Sequence, residues 1–187
     1  PTETTAKAGG KDRHSHGKRA KGARDVGKLV DAARDKIAAK RWKDAVIMLK
    51  RALNTDRNNG VAMSLLAIAY MQQRKLVDGR KMMKRAVEAS PMEPEVHLNH
   101  GKLLHSFGEM DQSANAYTQA LQLNPEYGDA YRELAVLLID AGILEQATEA
   151  LIMAVKLNGR DAAAFYHLGL LKKMQGQEVE AIDAYSM

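Results

Sequence analysis

The chain repeats itself every 34 residues, and no insertion or deletion interrupts the period. The units run 26–59, 60–93, 94–127 and 128–161, and a fifth occupies 162–187. Their eighth residue is always small: Ala33, Ala67, Gly101, Ala135, Gly169. So is the twentieth (Ala45, Gly79, Ser113, Ala147, Ala181), and the twenty-seventh is Ala52, Ala86, Ala120 or Ala154. The twenty-fourth is large: Leu49, Met83, Tyr117, Leu151, Tyr185. Helices approach closely only where small residues face large ones, so the first sets read as holes and the last as knobs. Within each half, apolar residues recur at helical spacing, as in Leu65, Ile68 and Ala69 or Leu134, Leu137 and Leu138. A helix–turn–helix unit this short cannot bury its apolar stripe alone, so units must stack into an all-α solenoid.

The punctuation agrees. Gly108, Gly142 and Gly176 occupy the fifteenth position of units three to five, where a helix can end in the left-handed conformation that glycine tolerates. Asn58-Asn59-Gly60 and Asn158-Gly159 break the chain between units, and Pro94 suits a helix start. The spacing predicts a first helix at about positions 2–14 and a second at about 18–31 of each unit.

These residues resemble the tetratricopeptide repeat family. Its first helix carries a bulky residue, then Leu, Gly and a second bulky residue; its second carries Ala, an aromatic and Pro. Phe165, Leu168 and Gly169 match the first part, and Tyr117, Ala120 and Pro125 the second, over residues 26–187. His97, His100, Lys36, Lys172, Arg57 and Gly159 depart from the pattern. The resemblance implies a right-handed α-solenoid whose first helices line a concave groove and whose second helices line the convex side.

Residues 1–25 are of different material. They hold seven Lys or Arg against three acids and no bulky apolar residue, so a disordered basic arm is expected. Charge is also divided along the whole chain. Residues 1–93 carry 22 Lys plus Arg and 10 Asp plus Glu, a net of +12, whereas residues 94–187 carry 6 and 13, a net of −7. The basic side is dense on second helices: Lys43, Lys50 and Arg51 in unit one, then Arg80, Lys81, Lys84 and Arg85 in unit two. Such a charge split is either solvated surface or a dipolar rod that attracts an anionic partner at its N-terminal half or a second copy end to end, through residues that sit outside the packing positions. The arm has no aromatic residue for base stacking, so any nucleic-acid binding through it is expected to be non-specific. No cysteine is present, and no apolar run is long enough to span a bilayer. A soluble cytoplasmic chain without membrane insertion is expected.

No phosphate loop, zinc-type spacing or nucleophile elbow is found, so neither a catalytic residue nor a cofactor is expected. His97, His100 and His105 share spacing along one helix, but the first two occupy packing positions, which favours space filling over metal binding. By the family's geometry, positions 2, 5, 9, 12 and 13 of the first helices face the groove. They include Val61, Ser64, Ile68 and Met71 in unit two; Glu95, Leu98, Lys102 and His105 in unit three; Asp129, Arg132, Val136, Ile139 and Asp140 in unit four; and Ala163, Tyr166, Leu170, Lys173 and Met174 in unit five. An apolar floor with scattered charge suits a peptide or amphipathic helix from a protein partner. Ile68 and Val136 stand where the family's carboxylate clamp needs polar groups, and only Asn99 fits its asparagine ladder, so neither specialisation is expected.

The reading is therefore a non-catalytic interaction scaffold. The fifth unit stops within its second helix, leaving Val179, Ile182 and Tyr185 with no following helix to cover them. Self-association as a homo-oligomer through that end is expected, or else a longer protein in which this chain is the N-terminal module of an enzyme such as a transferase.

Overall fold

The computed structural model describes the backbone of residues 12–186 and the side chains of residues 22–186. Ten helices follow one another: α1 (Asp12–Ala38), α2 (Trp42–Thr55), α3 (Gly60–Gln72), α4 (Leu76–Ala89), α5 (Pro94–Ser106), α6 (Met110–Leu123), α7 (Gly128–Asp140), α8 (Leu144–Leu157), α9 (Ala162–Met174) and α10 (Glu178–Ser186). From unit two onward every first helix covers positions 1–13, and every second helix begins at position 17. Each helix packs on its neighbour in sequence, and successive first helices α1, α3, α5, α7 and α9 also touch one another. The result is the expected right-handed α-solenoid.

One boundary differs from expectation. Helix α1 begins at Asp12, ahead of the boundary expected at residue 26. Lys18, Arg19, Ala20, Lys21, Ala23 and Arg24 are good helix formers, and a helix already anchored by buried Val26 and Val30 extends at the gain of one hydrogen bond per residue. A Cβ at Gly22 would lie 3.8 Å from Thr55, so the extension runs beside the end of α2. Residues 1–11 of the expected arm lie outside the described residues.

The knobs and holes meet within each unit. Leu49, Met83, Tyr117 and Leu151 are all at most 1% exposed, and the holes at positions 8, 20 and 27 are buried throughout. Hole size follows knob size. Where the knob is tyrosine, the eighth position is glycine: a Cβ on Gly101 would overlap the Tyr117 ring, and one on Gly169 would lie 2.5 Å from the Tyr185 ring. Where it is Leu or Met, alanine suffices, as in Ala33 with Leu49, Ala67 with Met83 and Ala135 with Leu151. Position 20 is equally tight, since the Ser113 hydroxyl donates to the Gly101 carbonyl at 2.9 Å. The alanines at position 27 also reach the next unit: Ala120 is buried with Leu98 of α5 and with Ala130 and Leu137 of α7, as Ala52 is with Ala62, Ala86 with Val96 and Ala154 with Ala164.

The fifteenth position is left-handed in all five units. Gly108, Gly142 and Gly176 have φ of 77°, 75° and 76°, and Lys40 and Arg74 take the same conformation at 56° and 62°. Asn59 caps α3 by accepting from the Ala62 amide, and Asp161 caps α9 by accepting from Ala163 and Ala164.

Two stability measurements follow. Gly101→Ala should cost about 1–3 kcal/mol by overpacking, and Tyr117→Leu in the same chain should recover part of that by recreating the Ala–Leu pairing of units one and four. Additive losses in the double variant would refute the pairing. Arg74→Gly should stabilise, and Gly108→Ala destabilise, each by about 1 kcal/mol. The space around a Cβ at Gly108 is empty, so only backbone strain is read there. Urea unfolding measures both pairs.

Candidate functional site: the concave groove and the outer face

The groove is crossed by ion pairs that the repeat spacing creates. Arg34 of α1 reaches past unit two to Glu95 of α5, with guanidinium nitrogens 3.1 and 2.5 Å from the two carboxylate oxygens. Lys102 bridges to Glu133 on the next first helix at 3.1 Å, and the His105 ring contacts Asp140 at 3.0 Å. Arg132 pairs with Asp129 at 2.8 Å and with Asp161, the cap of α9. Successive first helices lie side by side, so a residue on one helix has its partner about one repeat further on. The Glu95 hydrogen bond raises the Arg34 pKa, outweighing partial burial. Burial lowers that of Arg132, but Asp129 and Asp161 hold it above the ordinary value.

Around the Arg34–Glu95 pair lies a cleft of about 380 Å³, floored by Ile37, Leu65, Ile68 and Leu98 and edged by Lys102, Tyr127 and Asp129. Burial, then the charge of Glu95, push the Tyr127 hydroxyl well above its usual range, so it stays a neutral donor. A second cavity of about 390 Å³ opens between α4, α5 and α6, where Arg80, Lys84, His100 and Glu109 meet.

The expected groove residues divide by fate. Ile68 and Lys102 line the cleft. Val136 and Leu170, the same ninth position in units four and five, are half-buried. Tyr166 is 58% exposed, and Lys173 is exposed without an ion pair among the described residues. His105 and Arg132 are committed to carboxylates, as above. Other expected residues serve the fold. Ser64 is fully buried and accepts a hydrogen bond from Asn99 at 3.0 Å, because α3 and α5 close over it. Leu98 belongs to the core and reaches the cleft floor while only 3% exposed. Met71 turns to α4, where it lies 3.1 Å from the place of a Cβ on Gly79. Ile139 packs against the core of units four and five, and Val61 against that of units one to three.

Of the basic residues, Lys43, Lys50, Arg51, Lys81, Lys84 and Arg85 are exposed as expected. Arg80 departs from expectation: it pairs with Glu109 and stacks 3.7 Å from the centre of the Phe107 ring, so it is part of the packing between units. The neighbouring turn places Phe107 and Glu109 together, and a long guanidinium covers both.

The three histidines diverge. His97 is buried and its Nε2 donates to the Pro91 carbonyl at 2.7 Å, whereas His105 faces Asp140. Among the described residues no group of three or more His, Asp or Glu side chains is placed to hold a metal ion. No helix among them is long and apolar enough to cross a membrane. Arg34 and Tyr127 escaped the sequence reading. Arg34 was open to detection, since it holds the same ninth position as Lys102; Tyr127, in the turn before α7, carries no periodic signal.

Together these features define a class: an α-solenoid of tandem helix–turn–helix units with a side-chain-lined concave groove. Residues 36–103 and 104–172 match the tetratricopeptide repeat family, and the chain belongs to it. Solved structures agree on the fold. PilF of Pseudomonas aeruginosa is 17% identical with a TM-score of 0.74, covering 88% of this chain and 75% of PilF. A thermophilic tetratricopeptide repeat protein of Thermus thermophilus is 17% identical with a TM-score of 0.75, over 86% and 88% of the two chains. MamA is 23% identical with a TM-score of 0.62, over 82% and 90%. The comparison with curated proteins gave no match.

His100 supplies a pH prediction. Burial, reinforced by neighbouring His97 and opposed by Glu109, lowers its pKa. The unfolded chain takes up a proton near pH ~6.5 where the folded chain resists it, so stability is full above about pH 6.5 and falls as pH drops toward the folded value. In thermal melts at about pH 7.5 and about pH 5.5, His100→Gln should show a smaller acid loss than the parent. An equal loss would clear His100 of any part in it.

Proposed function

We propose that the chain is a protein–protein interaction scaffold whose groove holds a peptide or amphipathic helix along α7 and α9. The family membership supports the scaffold reading. One observation directs the partner to the C-terminal half: the N-terminal half of the groove is bridged by the Arg34–Glu95 pair, while Val136, Tyr166, Leu170 and Lys173 remain wholly or partly open. The partner's apolar side covers Val136, Leu170 and Tyr166, and a carboxylate on it meets Lys173. Groove cations nearer the N-terminus already have carboxylates, so they offer little to an acidic ligand. Self-association is carried by a different surface, the outer face of the second helices.

A phage-displayed library of helical peptides tests the groove. Selected peptides should shift the amide resonances of α7 and α9 and carry apolar residues at helical spacing. Val136→Glu and Leu170→Glu should each weaken them at least about tenfold, about 1.4 kcal/mol, with helix content unchanged. Selection of peptides that bind the variants equally, or that footprint on the outer face, would overturn the reading.

A further inference from the structure

The groove and the outer face treat charge in opposite ways. Groove cations Arg34, Lys102, His105 and Arg132 each meet a carboxylate of the same chain. On the outer face Lys43, Lys50, Arg51, Lys81, Lys84 and Arg85 are exposed, and none has an ion-pair partner among the described residues. The same holds for Glu145, Glu149, Glu178, Glu180 and Asp183 at the other end. The first set lies on α2 and α4 and the second on α8 and α10; α4 also carries exposed Asp78 and Glu88 and α8 exposed Lys156, so each strip has an excess of one sign.

Both strips also carry exposed apolar residues. Ile47 and Val77, 58% and 81% exposed, stand among the cations; Ile152, Val179 and Ile182, 52%, 72% and 65% exposed, stand among the acids. Both strips use the same register. Position 18 is Lys43, Val77, Glu145 and Val179 in units one, two, four and five, and position 22 is Ile47, Lys81, Glu149 and Asp183. Position 25 adds Lys50, Lys84 and Ile152. Position 18 thus sets Lys43 of α2 against Glu145 of α8, and position 22 sets Lys81 of α4 against Glu149 and Asp183, while position 25 is basic on α2 and α4 and apolar on α8. A surface built this way is complementary to the other end of its own chain.

We propose that the basic outer strip of α2 and α4 in one copy seats on the acidic outer strip of α8 and α10 in a second copy, head to tail. The proposal rests on the reading of the chain as an interaction scaffold but uses none of the groove residues. The two strips are different surfaces, so the contact is heterologous: each association leaves one strip free and chains grow unless the rotation closes a ring. Attraction between exposed charges sets the register and speeds encounter, and the apolar pairs add burial. The contact is weak and strongly salt-dependent because every charge in it is exposed.

Two variants of the full chain test this in sedimentation velocity at about 10 mM salt, where the screening length is about 30 Å, and again at about 1 M, where it is about 3 Å. One carries Lys81→Glu and Lys84→Glu, the other Glu145→Lys and Glu149→Lys. The parent should sediment faster with rising concentration at low salt only. Each variant alone should lose self-affinity at least about tenfold with unchanged circular dichroism, and the two mixed should associate again, because each retains the strip the other lacks. Val136→Glu should associate like the parent, which separates this contact from the groove. A parent that stays monomeric at low salt overturns the proposal, whether or not it retains heparin or duplex DNA. So does a mixture that fails to recover, or association lost in Val136→Glu.

Discussion

The stack depends on one contact, the insertion of the residue at position 24 against the residue at position 8 of the same unit. It is buried or nearly so in every unit except the fifth, where Tyr185 is 46% exposed. Size is balanced across it locally: tyrosine with glycine, leucine or methionine with alanine. Because interiors are close-packed, the interhelical distance stays the same only if knob and hole change together. Units with different side chains therefore keep one geometry, and units of one geometry stack.

Once the pairs share a shape, the first helices come to lie side by side, and this creates the groove and its ion pairs. Lys102 with Glu133 and His105 with Asp140 each join neighbouring units, while Arg34 with Glu95 joins units one and three. These pairs are partly exposed and each is worth little, roughly 0–1 kcal/mol. They neutralise groove cations from within, and leave Lys173 exposed without an ion pair among the described residues. The outer face has no facing helix, so apart from Arg80 with Glu109 and Asp44 with Arg41 its exposed charges have no ion-pair partner among the described residues. The same stacking that brings the groove charges together leaves most of the outer charges exposed.

Much of this was open to sequence reading, and the period explains why. Helix positions, the left-handed turns at Gly108, Gly142 and Gly176, the buried alanines and the exposed outer charges all follow from local residue type repeated in register. Lys40 and Arg74 show how far this goes: neither residue favours positive φ, yet both adopt it, because the packing of their units demands the same turn. The start of the first helix was not legible. Residues 12–25 look like a tail by composition, yet they continue a helix whose anchor at Val26 and Val30 is tertiary.

By itself, then, the sequence determined the repeat, its helices and which residues are holes and knobs, because these depend on periodicity within 34 residues. Tertiary structure decided which groove positions are available. Ser64 and Met71 carry the same positional signal as Ile68 and Lys102, but Ser64 is closed over by α5 and Met71 turns to α4. It also decided that Arg80 packs while Lys81 does not, and that Arg34 finds Glu95 across 61 residues of chain. Such pairings depend on the superhelical curvature that brings non-adjacent units together, and curvature arises from the sum of small rotations between units that no single repeat encodes.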